Sequence, residues 1–460
     1  EDAQHIEEIR RLKAELADLR LKGSAPFDIG PRIEHRTLCV FIVVFGVVSF
    51  RSVPRILRIF QQYLRGKMQV PHFTSVIHWV LRVGIAIFNQ VSIINGPWVA
   101  IIDCSIDVGT RKALVVLRIP LSRLQGKKGA IGLDDCECIG LEVSHKWNGQ
   151  LVCEALGRIF ENTGFPIAII KDGGTDLKKG VDMFCEQKPE RKIHIIDDIG
   201  HVTANALKAL FAKTKPFTLF LKIISNGSKR IRQNKHAWLL PPKIPTKGRF
   251  QSITAVAKWA NDVLELIGGK GRAKGGGDLS QARKAFAGLA KLRPFLMRFC
   301  RTCAIVEDFL KLVKTEGLNQ KTYASAKIIL TKLPKRSLVR SRLSSWLKKH
   351  IGIHRALGIG DQLLLVSSDV IESLFGKFKT IIQRNPQSEL NRLLFVIPLL
   401  CGNHAHNTID AALQECSHAQ MLRQIEQTIP PTLRQQRVQE LGKKSNTVPI
   451  SGVFKSLETG

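Results

Sequence analysis

Trp98-Val99-Ala100-Ile101-Ile102-Asp103 and Pro166-Ile167-Ala168-Ile169-Ile170-Lys171-Asp172 are the two stretches that decide how this chain folds. Each is a short apolar, β-branched run, the composition of a buried strand, and each runs into an aspartate. Between them Lys112–Leu121 reads as a second strand, Gly126–Gly129 as a basic turn, and Cys136–His145 alternates like a third strand. Gly149–Asn162 then carries helical periodicity through Leu151, Leu156, Ile159 and Phe160, and stops at Gly164. After the second stretch, Thr175–Glu186 predicts a helix, Lys192–Ile196 a buried strand and His201–Lys213 another helix. Three meandering strands followed by helix–strand alternation predict an α/β fold, a mixed sheet with helices on its faces.

Outward from this centre the chain is helical. Glu1–Leu21 is a charged amphipathic helix whose Ile9, Leu12, Leu16 and Leu19 form a short coiled-coil seam, suited to a packed helix or a dimer zipper. Gly23–Pro31 is a linker. Val53–Arg65 and Thr74–Phe88 are two helices around a turn at Gly66 and Pro71. With Arg51, Arg55, Arg58, Arg65, Lys67 and Arg82 they suit a helix-turn-helix DNA reader or a plain helical hairpin. On the carboxyl side residues 217–240 are transitional, and prolines at 241, 242 and 245 punctuate the chain. Helices are predicted at Ser252–Ile267, Leu279–Lys291, Pro294–Lys314, Tyr323–Lys332, Ser341–Lys349 and Ser367–Gln383. Gly268–Gly277 is a Gly/Lys-rich loop that lacks the Gly-Lys-Ser/Thr of a phosphate loop.

Charge narrows the function. The 460 residues carry 70 Lys+Arg against 38 Asp+Glu, a formal net charge of +32, while 44% of residues are apolar. A globular chain this basic repels itself, and a polyanion is the natural partner. The excess is concentrated, since residues 241–355 hold 25 Lys+Arg against 6 Asp+Glu. Lys243, Lys247 and Arg249 open that stretch and are the first candidates for DNA contact. Ten cysteines in a chain of this length are no disulfide framework, and no secretory signal opens it, which points to a reducing compartment. The apolar run Thr37–Phe50 is shorter than the roughly 20 residues a bilayer requires, so no membrane is expected. The chain opens inside a helical pattern, which leaves room for a natural amino terminus upstream.

In a mixed sheet of this order the strands ending in Asp103 and Asp172 are central neighbours. Two converging carboxylates are what Mg²⁺ requires, because it takes hard oxygen ligands and keeps its waters. Two such ions roughly 3.5–4 Å apart can activate a nucleophile and stabilise a leaving oxygen. For either Asp alone a strand-end turn is the plain alternative, and Asp172 followed by Gly173-Gly174 suits one.

With these strands and acids, the chain resembles the DDE-type transposases and integrases of the RNase H-like superfamily, over residues 97–213 and 361–384. The resemblance implies an RNase H-like sheet interrupted by a mainly helical insertion. It also implies a third carboxylate on a late helix, matched by Glu372 in Ser-Ser-Asp-Val-Ile-Glu-Ser-Leu-Phe-Gly-Lys-Phe-Lys. Glu372, Phe375, Gly376 and Lys379 would share one helical face, with Lys377 beside it. Asp369-x-x-Glu372 also reads as a capping box. Asp198 and His201 are similar to the Cys/Asp-x-x-His feature of the hAT group; a helix cap with a structural His is the alternative. Those families place an Arg and an aromatic at the start of the insertion to stack on a flipped base. Arg249-Phe250 stands there with Phe for Trp, and Trp238 and Trp259 are rivals. Cys300-x-x-Cys303 with Cys401, His404 and His406 could make a zinc site only if two remote pairs met.

The resemblance implies a metal-dependent transposase in which Asp103, Asp172 and Glu372 hold two Mg²⁺, Mn²⁺ substituting. Its partners would be double-stranded DNA, as transposon ends and target, and further copies of itself, in the nucleoid of a bacterium or the nucleus of a eukaryote. An RNase H-like nuclease or resolvase, kept open by Asp197, and a non-catalytic transposase-derived DNA binder are the alternatives. The expected organisation is an amphipathic helix at 1–22, a helical DNA-binding or dimerisation domain at 36–95, and the first part of the core at 96–240. A basic helical insertion at 241–360, the closing core helix at 361–400 and a helical tail at 401–460 complete it.

Overall fold

The computed structural model describes residues 34–63, 69–104, 111–127, 131–245, 248–268, 279–383, 391–431 and 433–442. The coiled-coil seam, the following linker, Arg65, Lys67, Lys247 and nearly all of the Gly/Lys-rich loop lie outside the described residues.

The apolar runs form one five-stranded sheet in the order β3-β2-β1-β4-β5. Its strands are β1 (Trp98–Asp103), β2 (Lys112–Pro120), β3 (Glu137–Ser144), β4 (Ala168–Lys171) and β5 (His194–Asp197). β1, β2 and β3 are antiparallel neighbours, whereas β4 runs parallel to β1 and β5 parallel to β4. A mixed sheet with this order and these directions, flanked by helices, is the RNase H-like arrangement. Alternation sorts the side chains between two layers. Val99, Ile101, Ala168, Ile170 and Ile196 face the larger core, while Trp98, Ala100, Ile102 and Ile169 face a smaller one beneath α4 (Gly149–Thr163) and α5 (Thr175–Gln187).

Before the sheet come α1 (His35–Gly46), α2 (Ser52–Tyr63) and α3 (Phe73–Asn89). After it come α6 (Ile199–Phe211) and α7 (Lys215–Ile231). α7 corrects the transitional reading of 217–240. Pro216 does not end a helix there but sits in the first turn of one, where its missing N–H costs nothing, and Thr214 caps the start. The insertion continues through α8 (Ile253–Gly268), α9 (Ser280–Phe286), α10 (Gly288–Lys291), α11 (Arg293–Glu316), α12 (Gln320–Thr331) and α13 (Leu338–Ala356). Phe211, Phe217, Phe220, Phe295 and Phe299 interlock edge to face and stacked, tying α6, α7 and α11 together. α13 packs along α6, so the insertion lies against the larger layer of the sheet. The chain closes with α14 (Asp369–Ile381), α15 (Val396–Leu399), α16 (His406–Glu415), α17 (His418–Thr428) and α18 (Leu433–Gly442).

The helix-turn-helix alternative does not hold. A recognition helix must present a free face to the groove, but α3 is wrapped by α15, α16 and α17, and only Thr74 and Asn89 on it are exposed. A Cβ at Gly84 would lie 1.8 Å from the Phe395 carbonyl oxygen, so α3 is pressed directly on backbone. The amino-terminal helices are a packed buttress for the segment that follows α14. Among the described residues no helix is long and apolar enough to cross a membrane.

Candidate active site

Register brings the acids together. Ile102 pairs with Lys171, and Lys171 pairs with Asp197. The next residues along the three parallel strands are Asp103, Asp172 and Asp198, a row of carboxylates at one sheet end. Ligands of open α/β sheets bind at this carboxyl edge, where strand order reverses. Here β1 is the reversal point, with β2 on one side and β4 on the other.

Each acid is held differently. Asp103 ends β1, and burial pushes its carboxyl up to about 7, with the charges of Asp172, Glu372 and Asp198 adding to the rise and the Cys104 N–H opposing it. Asp172 Oδ1 accepts the Gly174 N–H at 2.8 Å, which is the strand-end turn anticipated from Gly173-Gly174. Its other oxygen lies 3.8 Å from His201 Nδ1. The turn and the site use opposite oxygens of one side chain. Asp198 is buried; Oδ1 caps α6 by accepting the Gly200 N–H at 2.8 Å, and Oδ2 accepts the Ser368 hydroxyl at 3.2 Å. Burial raises its pKa, while His201 and Lys314 pull it down.

Glu372 arrives from α14, about 200 residues later. Three contacts seat this helix. The Ile199 N–H donates to the Val366 carbonyl at 3.0 Å, Ser368 reaches Asp198, and Lys314 at the end of α11 lies 2.6 Å from each Asp369 oxygen. Glu372 is open to solvent at the rim, yet partial burial of its carboxyl, then Asp369 and Asp198, raise its pKa.

Asp103, Asp172, His201 and Glu372 line one cavity of about 900 Å³. Lys208, Arg249 and Lys379 line it as well, with Asn205, Gln251 and Phe375. Asp103 and Glu372 have no ion-pair partner among the described residues, and Asp172 has only the neighbouring His201. As placed, no three His, Cys, Asp or Glu side chains among the described residues stand close enough to hold a metal ion. The acids share the cavity without closing on one point. Their chemistry, hard oxygens crowded by like charge and lacking a cation, suits a divalent ion.

Asp197 does something else. It falls on the opposite face of β5, where Lys171 Nζ at 2.8 Å and Lys349 Nζ at 2.7 Å hold it. Burial alone would raise its pKa, but those two hydrogen bonds bring it down to about 2. Trp346 and His350 clamp its backbone. It is a packing anchor and does not line the cavity.

The remaining candidates divide. Arg249 and Lys379 line the cavity, and the Arg249 Nε is buried with no hydrogen-bond partner. Phe250 reaches the wall, but its ring is buried and stacks on Phe217 at 5.3 Å, so no face is open to a base. Trp259 is packed too, donating to the Leu239 carbonyl at 3.0 Å and meeting Phe286 edge-on. Trp238 is the exposed one, at 62%. Lys243 and Lys377 are exposed but outside the cavity. The zinc pairs stay apart: the Cys300 thiol donates to the Ala257 carbonyl, while Cys401 is buried beside Cys136 and Cys138. Lys208 was missed, although His201, Asn205 and Lys208 fall at helical spacing on one face. Lys314 and Ser368 carry no local signal, because their roles are set by partners far along the chain.

No family model matches this chain, and no curated protein matches it. Among solved structures it is similar to the Drosophila P element transposase strand transfer complex, at 10% identity, over 85% of this chain and 97% of that one, with a TM-score of 0.40. At that identity site residues need not correspond.

Proposed function

We propose that this chain is a DNA transposase that cleaves DNA at transposon ends and transfers the freed strand to a target. One observation carries the reading. In a chain with a net charge of +32, three carboxylates line one cavity at the carboxyl edge of an RNase H-like sheet and none is paired with a Lys or Arg among the described residues. An acid raised to about 7 by burial first and then by the charge of Asp172 is costly to a fold when ionised and calls for a cation from outside.

Asp103, Asp172 and Glu372 would hold divalent metal, two Mg²⁺ or Mn²⁺ in its place. When bound, the metal supplies positive charge to the attacking and leaving oxygens of the phosphoryl group. The chain's own residues do the rest. Lys208, Arg249 and Lys379 offset the charge of the phosphodiester and its neighbour across the cavity. His201 steadies Asp172, and Asp198 ties α6 to α14 so that Glu372 stays at the rim. In the first step the oxygen of water bonds to phosphorus as the phosphorus–oxygen bond to the departing strand breaks. The water gives up a proton to solvent and the departing 3′-oxygen takes one up, leaving a 5′-phosphate and a 3′-hydroxyl. In the second that hydroxyl's oxygen bonds to a target phosphorus as the bond from that phosphorus to the target strand's own 3′-oxygen breaks. The attacking hydroxyl loses its proton to solvent and the displaced oxygen takes one up, leaving a 3′-hydroxyl on the target. The partners are double-stranded DNA and further copies of the chain. The nuclease alternative loses the acid it relied on, since Asp197 is consumed by two lysines.

The test uses the full chain and duplexes taken from the DNA on either side of its gene. The expected result is nicking in Mg²⁺ or Mn²⁺, none in EDTA, and joining of a pre-cut 3′-hydroxyl end into plasmid DNA. Binding without nicking in either metal would make the protein a DNA binder only.

A further inference from the structure

A second cavity lies on the insertion, outside the carboxylate site. It has a volume of about 590 Å³ between α11, the end of α12 and the start of α13. Arg298 and Arg301 approach from α11, Lys332 and Lys335 from the loop after α12, and Arg340 from α13. No carboxylate lines it. Five cations around one depression repel one another, and nothing in the fold requires them there: Arg298, Arg301, Lys332 and Lys335 are exposed, with no ion pair among the described residues.

The depression is also built. Arg340 donates to the Leu333 carbonyl at 3.0 Å, which pins the loop carrying Lys332 and Lys335 against α13. Leu333 is buried beneath, and Met297 is 55% exposed at the edge, so an apolar surface runs beside the cations. That combination suits a sugar-phosphate chain, whose charged and apolar atoms alternate. The charge also extends beyond the cavity, because residues 291–342 hold 13 Lys+Arg against 3 Asp+Glu. A long polyanion neutralises such a tract; a lone small anion leaves most of it unpaired.

We propose that this groove binds the backbone of duplex DNA at a place separate from the cleavage site, with Arg298, Arg301 and Lys335 as its principal phosphate ligands. The assignment rests on the reading of the chain as a DNA-binding protein and deepens it. It requires DNA to engage the sheet edge and the insertion together.

The experiment measures anisotropy of a labelled duplex against the full chain over a salt series. It compares the natural protein with Arg298→Glu/Arg301→Glu/Lys335→Glu and with the neutral Gln triple variant. Each phosphate that is no longer neutralised should take about 0.9 off the log–log salt slope, so both triple variants should flatten it by nearly three. Nicking of a short duplex confined to the carboxylate cavity should persist. An unchanged slope with intact Tm overturns the groove. So does a calorimetric signal for a free nucleoside triphosphate that the Gln variant abolishes while its DNA slope stays the same, for the site would then be a nucleotide pocket. If the natural protein binds no duplex at any salt, the DNA reading itself fails, a different outcome from a slope that does not move.

Discussion

Asp197 and Asp198 are neighbours in sequence and opposites in structure. On one face of β5, Asp197 is gripped by Lys171 and Lys349 and brought down to about 2. On the other, Asp198 continues the row of Asp103 and Asp172; burial raises both Asp103 and Asp198, with Asp172 adding to the first and Asp369 to the second. The same residue type, at the same sheet end, is held by two lysines on one face. On the other, Asp198 takes a helix cap and a hydroxyl, and Asp103 beside it lines the cavity with no Lys or Arg partner among the described residues. In a chain rich in Lys and Arg, pairing is easy. Its absence around the cavity is therefore the informative feature, and the mirror image, unpaired cations in the groove of the insertion, follows the same logic.

The largest expected effect breaks the comparison on its unpaired side. Asp103→Asn and Asp172→Asn each remove a negative oxygen while nearly keeping shape. Folding and duplex binding should hold, and binding can strengthen because a charge repelling phosphate has gone. Strand cleavage should drop by about a hundredfold or more, the scale of losing one electrostatic group that acts on the transition state. Nicking at the natural rate by either variant would show that these acids are not the site, whatever their crowding.

On the paired side the effect should be on stability instead. Lys171 is 2% exposed, and Asp197 holds its ammonium at 2.8 Å. Asp197→Ala strands that cation in the sheet, which costs about 3–5 kcal/mol for a buried pair broken on one side. Chemical denaturation reads it directly. The pH dependence has a definite sign. A folded-state pKa of about 2 lies below the roughly 3.9 of an unfolded Asp, so this carboxylate stabilises the fold above about pH 4 and the contribution disappears as pH falls toward 2. The Ala variant should be missing that part of the acid unfolding slope. An Ala variant as stable as the natural chain would mean the anchor is not one.

Much of this contrast was legible in the sequence because it is local. Two apolar runs ending in Asp announce strands, and Gly149–Asn162 with its clean periodicity announces the helix between them. Parity along β1 and β4 then puts Asp103 and Asp172 on one face. What was not legible depends on partners distant in sequence. Nothing near Phe250 says that Phe217 will cover it, so an Arg-Phe pair could pass for a base-stacking device. Asp197 read as a spare acid because Lys349 lies about 150 residues on. Residues 217–240 read as transitional, although Pro216, two positions after a capping Thr214, stands in the first turn of a helix that runs to Ile231.

The smallest effect tests the join between the two sides. Asp198 stands in the carboxylate row but does not line the cavity; its oxygens are used by the Gly200 N–H and the Ser368 hydroxyl. Asp198→Asn keeps one carbonyl oxygen, which can still cap α6, so stability should change by under about 1 kcal/mol. Its amide can no longer accept on both sides without turning an NH₂ toward one donor. If the cap keeps the oxygen, the Ser368 hydrogen bond weakens and one of the three attachments of α14 goes with it. Glu372 should then be held less firmly, and cleavage should fall several-fold with duplex affinity unchanged. Ser368→Ala removes the same attachment from the other end, so it should reproduce the defect, and the double variant should be no worse than either single one. A loss as deep as that of Asp103→Asn would place Asp198 among the acids that act on the reacting phosphate. A normal rate in all three variants would show that α14 is seated by Lys314 and the Ile199–Val366 hydrogen bond alone.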